Sequence, residues 1–261
     1  MQRDDAVKSA LCDAVLEFLS AAVHTVLKAR STYSPELFEN RRLYGISVSQ
    51  CRHPDVCLYV GTVLGNLKPL LANDTLQELV VAFYDNLGQL VSKVSFIIQG
   101  FNAAAAPPDW SGLEPAFRSA LLRLHFSDNL LRPLPEGSTF ELLAVATSRA
   151  GVNPQVFLEE PSTQVLLLQQ PATGLPLNSC SLPGVLSMQV VLEEGPAAAA
   201  AAAAAATQTG SEAAAAAAAT GTSAGAAASQ AGQGEEGLPQ LQLRLPGSGQ
   251  LLSQSQELED D

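Results

Sequence analysis

The chain has 261 residues and a net charge of −12, with 14 lysines and arginines against 26 aspartates and glutamates. Its last aromatic is Phe157, and from Pro196 onward it is mostly Ala, Gly, Ser and Gln, too poor in large apolar side chains to offset the entropy of ordering. One domain over 1–195 and a low-complexity, disordered tail over 196–261 follow; the acidic balance, −6 in each part, excludes the basic footprint of sequence-independent nucleic-acid binding.

Residues 9–30 predict a long helix, because Leu11, Val15, Phe18, Leu19, Ala22, Val26 and Leu27 recur at spacings of three and four. The basic concentration that follows (Lys28, Arg30, Arg41, Arg42, Arg52) is diluted by Glu36 and Glu39 and reads as a solvated face. A second helix opens at His53-Pro54-Asp55, with Pro at the first helical position and an acid in the first turn. Its stripe is Val56, Val60, Val63, Leu67 and Leu70; Gly61 and Gly65, one turn apart, suggest close approach by a neighbour, and Pro69 is expected to bend or end it. Then the period changes. Leu79 to Tyr84, the turn Asp85-Asn86-Leu87-Gly88, and Val91 to Ile98 give a hairpin signal.

A loop over 100–112 leads to a third helix near Ser111, carrying Leu113, Phe117, Ala120, Leu121 and Leu124. Thr139 to Ala146 is a further strand, and residues 148–185, punctuated by five prolines, read as irregular. The segment Leu186 to Leu192 alternates, with Leu186, Met188, Val190 and Leu192 on one face. The order implies an α+β fold with three helices on one face of a mostly antiparallel sheet. The long excursion before the last strand has the length of a functional segment.

Catalytic signals are missing from the sequence. Cys12, Cys51, Cys57 and Cys180 form no CxxC pair, and His24, His53 and His125 have no partners at metal-ligand spacing. There is no GxSxG, no phosphate-binding Gly-rich loop and no HExxH. Neither a metal nor a cofactor is expected. An enzyme whose site is assembled from scattered acids with His24 or His53 is the remaining catalytic alternative. The N-terminal stretch, broken by Glu17 and His24, reads as neither a signal peptide nor a membrane span, so a reduced compartment, nucleus or cytosol, is expected.

The segments Ala14-Val15-Leu16-Glu17-Phe18-Leu19, Ala22-Val23-His24 and Tyr33-Ser34-Pro35-Glu36-Leu37-Phe38 resemble the opening of a HORMA domain. Cys51-Arg52-His53-Pro54-Asp55 with Tyr59, Leu67-Lys68-Pro69-Leu70-Leu71, Gly137-Ser138-Thr139-Phe140 and Met188-Gln189 narrow the resemblance to its Rev-seven (Mad-two-B) branch. The colinear match spans roughly residues 9 to 194. The resemblance implies a non-catalytic adaptor that binds a partner's peptide by sheet extension under a C-terminal safety belt, here about residues 150–194. The implied partners are the catalytic subunit of DNA polymerase zeta and the Rev-one polymerase, with a nuclear location, no membrane and no direct nucleic acid. The alternative is a spindle-checkpoint HORMA protein with a different client.

Carried over residue by residue, the resemblance makes Tyr59 a peptide contact, Gln189 a residue of the closing strand facing Rev-one, and Arg118 part of a HORMA–HORMA dimer surface. The chain departs from the branch in the belt. The clamping aromatic has no counterpart near Glu160-Pro161-Ser162-Thr163-Gln164, Val191 replaces the aromatic two residues after the glutamine, and the belt is several residues shorter. Each lost aromatic could remove about 2 kcal/mol at an interface.

Overall fold

In the computed structural model, α1 (Gln2–Ala29) starts seven residues before the predicted helix and buries the whole predicted stripe. The structure describes residues 2–102, 111–126, 134–148, 158–160, 174–195 and 241–244. By length and composition Asp5–Ala29 could cross a membrane, but it lies at the centre of the fold with most of its surface buried. Its C-terminus closes with Ser31 in the left-handed region, Thr32 N–H donating to Leu27 O and Ser31 N–H to Lys28 O.

After a 3₁₀ turn at Pro35–Leu37, β1 (Phe38–Leu43) and β2 (Ile46–Cys51) form an antiparallel hairpin that the sequence reading did not contain. Its turn residues Tyr44 and Gly45 both have positive φ, the geometry that matches strand twist in a two-residue loop. The basic cluster divides here. Arg41, Arg42 and Arg52 are exposed as expected, whereas Arg30 is 1% exposed and belongs to the core rather than to a solvated face.

Helix α2 (Pro54–Ala72) begins where Pro54 predicts, but it runs through Pro69 rather than ending there. A proline this late removes a single intrahelical bond, and the buried Leu70 and Leu71 hold the last turn to the core. Gly61 and Gly65 are exposed, and a Cβ at either would meet nothing within 4 Å, so no neighbour within the chain approaches them among the described residues. Both are therefore plain helix-weakening positions. Gly61→Ala and Gly65→Ala are each expected to raise stability by about 0.5–1 kcal/mol, read as a higher denaturation midpoint. No gain from either would mean that glycine's backbone freedom is not what weakens this part of α2.

The hairpin of β3 (Leu76–Tyr84) and β4 (Leu90–Phe101) is longer than predicted. Asp85 Oδ1 shapes its turn by accepting from Leu87 and Gln89 N–H, with Gly88 at φ 74°. Helix α3 (Leu113–Phe126) lies against α1, where Phe117 stacks on Phe18 at 4.5 Å. Strand β5 (Thr139–Ala146) pairs with β3 throughout.

The stretch 148–185 is not wholly irregular. It contains β6 (Leu158–Glu160) and β7 (Leu175–Leu182), and β7 pairs with β8 (Leu186–Glu194) across a turn at Gly184. Pro176 conceals β7 from a pattern search, yet it is tolerated because β7 is an edge strand with a register shift between Pro176 and Asn178. The tail also contributes a strand, β9 (Leu241–Arg244), within the region read as disordered. The remainder of 196–261 lies outside the described residues.

The seven-stranded sheet has the order β6-β9-β5-β3-β4-β8-β7, and every pairing is antiparallel. Leu79, Val81, Phe83, Val94, Phe96, Leu142, Met188 and Val190 point to the helical side and merge with the three helices into one core. Val80, Ala82 and Leu143 form a small apolar cluster on the opposite face.

Candidate functional site

Strand β5 carries the site because its two edges are used differently. One edge pairs with β3 from Leu76↔Ala146 to Tyr84↔Thr139. The other is covered over only half its length by β9, from Leu143↔Arg244 to Ala146↔Leu241. Strand β6 pairs with the far side of β9, from Leu158↔Arg244 to Glu160↔Gln242. The arrangement is a slot one strand wide, closed by main chain on both sides.

Tyr59 stands where the slot ends. The register would place the next residue after Arg244 opposite Leu142, and Leu142 N–H donates instead to Tyr59 Oη at 2.9 Å. The Tyr59 ring packs edge-on against Phe140 at 5.8 Å, and Tyr33 meets the same ring at 6.2 Å. α2 thus delivers a half-buried phenol to the part of the β5 edge that β9 leaves uncovered among the described residues.

The other predicted site residues lie elsewhere. Gln189 and Val191 belong to β8, three strands from β5, opposite Ile97 and Ser95 of β4. Gln189 is exposed; Val191 is half-buried, with its Cγ1 3.0 Å from where a Cβ on Gly174 would sit. Arg118 is on α3. Its Nε donates to Tyr44 O at 2.6 Å and its guanidinium pairs with Glu114 at 2.8 Å, so it braces the β1–β2 turn while remaining partly exposed. The structure does not gather Tyr59, Gln189 and Arg118 into one site.

Sequence reasoning missed the ties that hold the β7–β8 hairpin down. Asn178 Nδ2 donates to Ala120 O on α3 at 2.7 Å, in a buried position. At the other end of the hairpin, Glu194 accepts from Arg30 at 2.9 Å. Arg30 also lies over the Phe83 ring at 5.5 Å, and burial lowers its pKa while Glu194 opposes that shift. Only the separation of 164 positions hides this pair from the sequence.

Among the described residues no cluster of three or more His, Cys, Asp or Glu side chains is arranged to hold a metal. Burial, reinforced by the Arg41 cation, lowers the His24 pKa to about 4. Cys180 is pushed up to about 11 by burial, which leaves it a thiol, the unreactive form.

With this geometry in place, comparison with known proteins shows what the chain is similar to. No family model matches the chain. Human MAD2B is 28% identical over 193 residues, covering 70% of this chain and 90% of the relative. An Arabidopsis thaliana DNA polymerase zeta processivity subunit is 26% identical over 201 residues, covering 68% and 94%. A chain of the mitotic checkpoint complex superposes with a TM-score of 0.61 at 18% identity, covering 71% of this chain and 98% of its own. The chain is similar to MAD2B and has the HORMA fold. HTP-2 of C. elegans, solved bound to a HIM-3 closure motif, has the same fold, with a TM-score of 0.56 at 14% identity over 69% of this chain and 88% of its own. The three helices on a mostly antiparallel sheet are thus the HORMA arrangement that the motif resemblance implied.

Proposed function

We propose that this chain is a non-catalytic HORMA adaptor that binds a client peptide as an added strand on β5, under the segment 150–194. The observation that carries the reading is the slot itself, in which an extended segment pairs with β5 on one side and β6 on the other. Strand addition of this kind draws affinity from main-chain hydrogen bonds and selectivity from alternate side-chain pockets. Similarity to a polymerase zeta processivity subunit and to MAD2B supports association with polymerase zeta; the client in this reading is its catalytic subunit, and the location the nucleus. In this reading Tyr59 lines the peptide's path, the exposed face around Gln189 and Val191 meets Rev-one, and Arg118 lies at a surface for a second HORMA domain.

A spindle-checkpoint client is the second reading, favoured by the checkpoint name of the mammalian relatives. Calorimetric titration separates the two. One peptide comes from the Pro-containing segment of the same organism's polymerase zeta catalytic subunit, the other from its checkpoint client. Binding of the first alone is the expected result; binding of the second alone transfers the chain to the checkpoint reading.

A further inference from the structure

The strand held in the slot belongs to the chain's own C-terminal tail. Between Pro196 and Gly237 the tail contains no Leu, Ile, Val or aromatic residue. Then Leu238-Pro239-Gln240-Leu241-Gln242-Leu243-Arg244-Leu245-Pro246 introduces four leucines, alternating with polar residues from Leu241 onward and bracketed by prolines. Alternation of period two is the pattern of a strand with one face toward a core. Prolines at its ends cost nothing, since they lie outside the paired residues. The register agrees, setting Leu241 and Leu243 opposite Ala146 and Ala144, both on the helix-covered side of β5.

We propose that residues 241–244 are a resident ligand, an internal copy of the client strand that fills the peptide slot of its own domain and must leave before a client can enter. This rests on the peptide-slot reading above. Chain length permits the intramolecular arrangement. From the end of β8 to the start of β9 the path crosses four strand spacings and one strand length, roughly 35 Å in all. Residues 196–240 exceed that reach even at about 1.5 Å per residue, the rise of a helix. Tethering also favours the internal ligand. A segment on a linker that spans its site acts at an effective concentration on the order of millimolar, so a tail whose free peptide bound at about 100 µM would weaken a competing client about tenfold.

The test uses the full chain and a Gln242→Pro, Leu243→Pro variant. Adjacent strand residues direct their N–H groups to opposite neighbours, so the two prolines remove one donor toward β5 and one toward β6. The probes are a synthetic peptide of residues 238–246 and the polymerase zeta peptide named above. The tail peptide is expected to bind the variant and to bind the unmodified chain at least about tenfold more weakly, with the client showing the same ratio. Equal affinity of the tail peptide for both proteins, or no binding to either, overturns the proposal. If the client binds neither protein while the tail peptide discriminates between them, the client assignment fails and the resident strand stands. A concentration-dependent dimer of the unmodified chain that the two prolines abolish would place the strand in a second copy and overturn the intramolecular form.

Discussion

Replacing Glu194 with alanine is expected to cost about 3 kcal/mol of stability and to loosen the β7–β8 hairpin selectively. Arg30 has only 1% of its side chain exposed, and Glu194, 19% exposed, is its ion-pair partner at 2.9 Å. Removing the carboxylate strands a guanidinium between α1 and the Phe83 ring, a situation that costs about 3–5 kcal/mol when both charges are fully buried. The partial exposure of Glu194 sets the expectation at the lower end. Because β8 ends at Glu194, the loss should appear in hydrogen exchange first at β7 and β8, ahead of β3 and β5. The control is Arg30→Met combined with Glu194→Leu, which removes both charges and should recover most of the loss. If Glu194→Ala costs less than about 1 kcal/mol, or the double variant is no better, the pair is not what fastens the closing strand.

The pair also explains how HORMA architecture was legible while its fastening was not. Apolar period carried the three helices, the β3–β4 hairpin, β5 and β8, because each buries a continuous stripe whose spacing is written locally. The prediction failed where burial is partial or partners are remote. In residues 38–51 no residue of β1 is buried and β2 buries only Val48, Ser49 and Cys51, so the strand pattern is diluted by Glu39, Arg41 and Arg42. Pro176 and Pro183 masked β7, although edge pairing tolerates a proline. Arg30 looked like one more surface cation because nothing near it in sequence announces Glu194. Tyr59 was found through its motif context, and its bond with Leu142 is a contact that no spacing rule could supply. Likewise, β9 escaped a composition argument applied to the whole tail. Four residues of strand are lost in an average over 66.

Acidification should expose a second buried group. His24 lies on the core side of α1, 3% exposed, and its folded pKa is lowered to about 4 from 6.5, first by burial and then by the Arg41 cation. Protonation is therefore easier in the unfolded chain, which binds more protons between those two values. The stabilisation that accompanies neutral His24 is fully present above pH 6.5 and is lost as pH falls toward 4. The ceiling on that loss is about 3 kcal/mol, at about 1.4 kcal/mol per pKa unit. His24→Gln substitutes a neutral side chain and should flatten this part of the profile, even if it lowers stability at pH 7.5 through imperfect packing. The measurement is the denaturant midpoint of both proteins from pH 7.5 to 4.5, taken as a difference so that carboxylates common to both cancel. Curves that converge as pH falls assign the acid sensitivity to His24. Parallel curves would mean that the imidazole reaches solvent readily enough to titrate as it does in the unfolded chain.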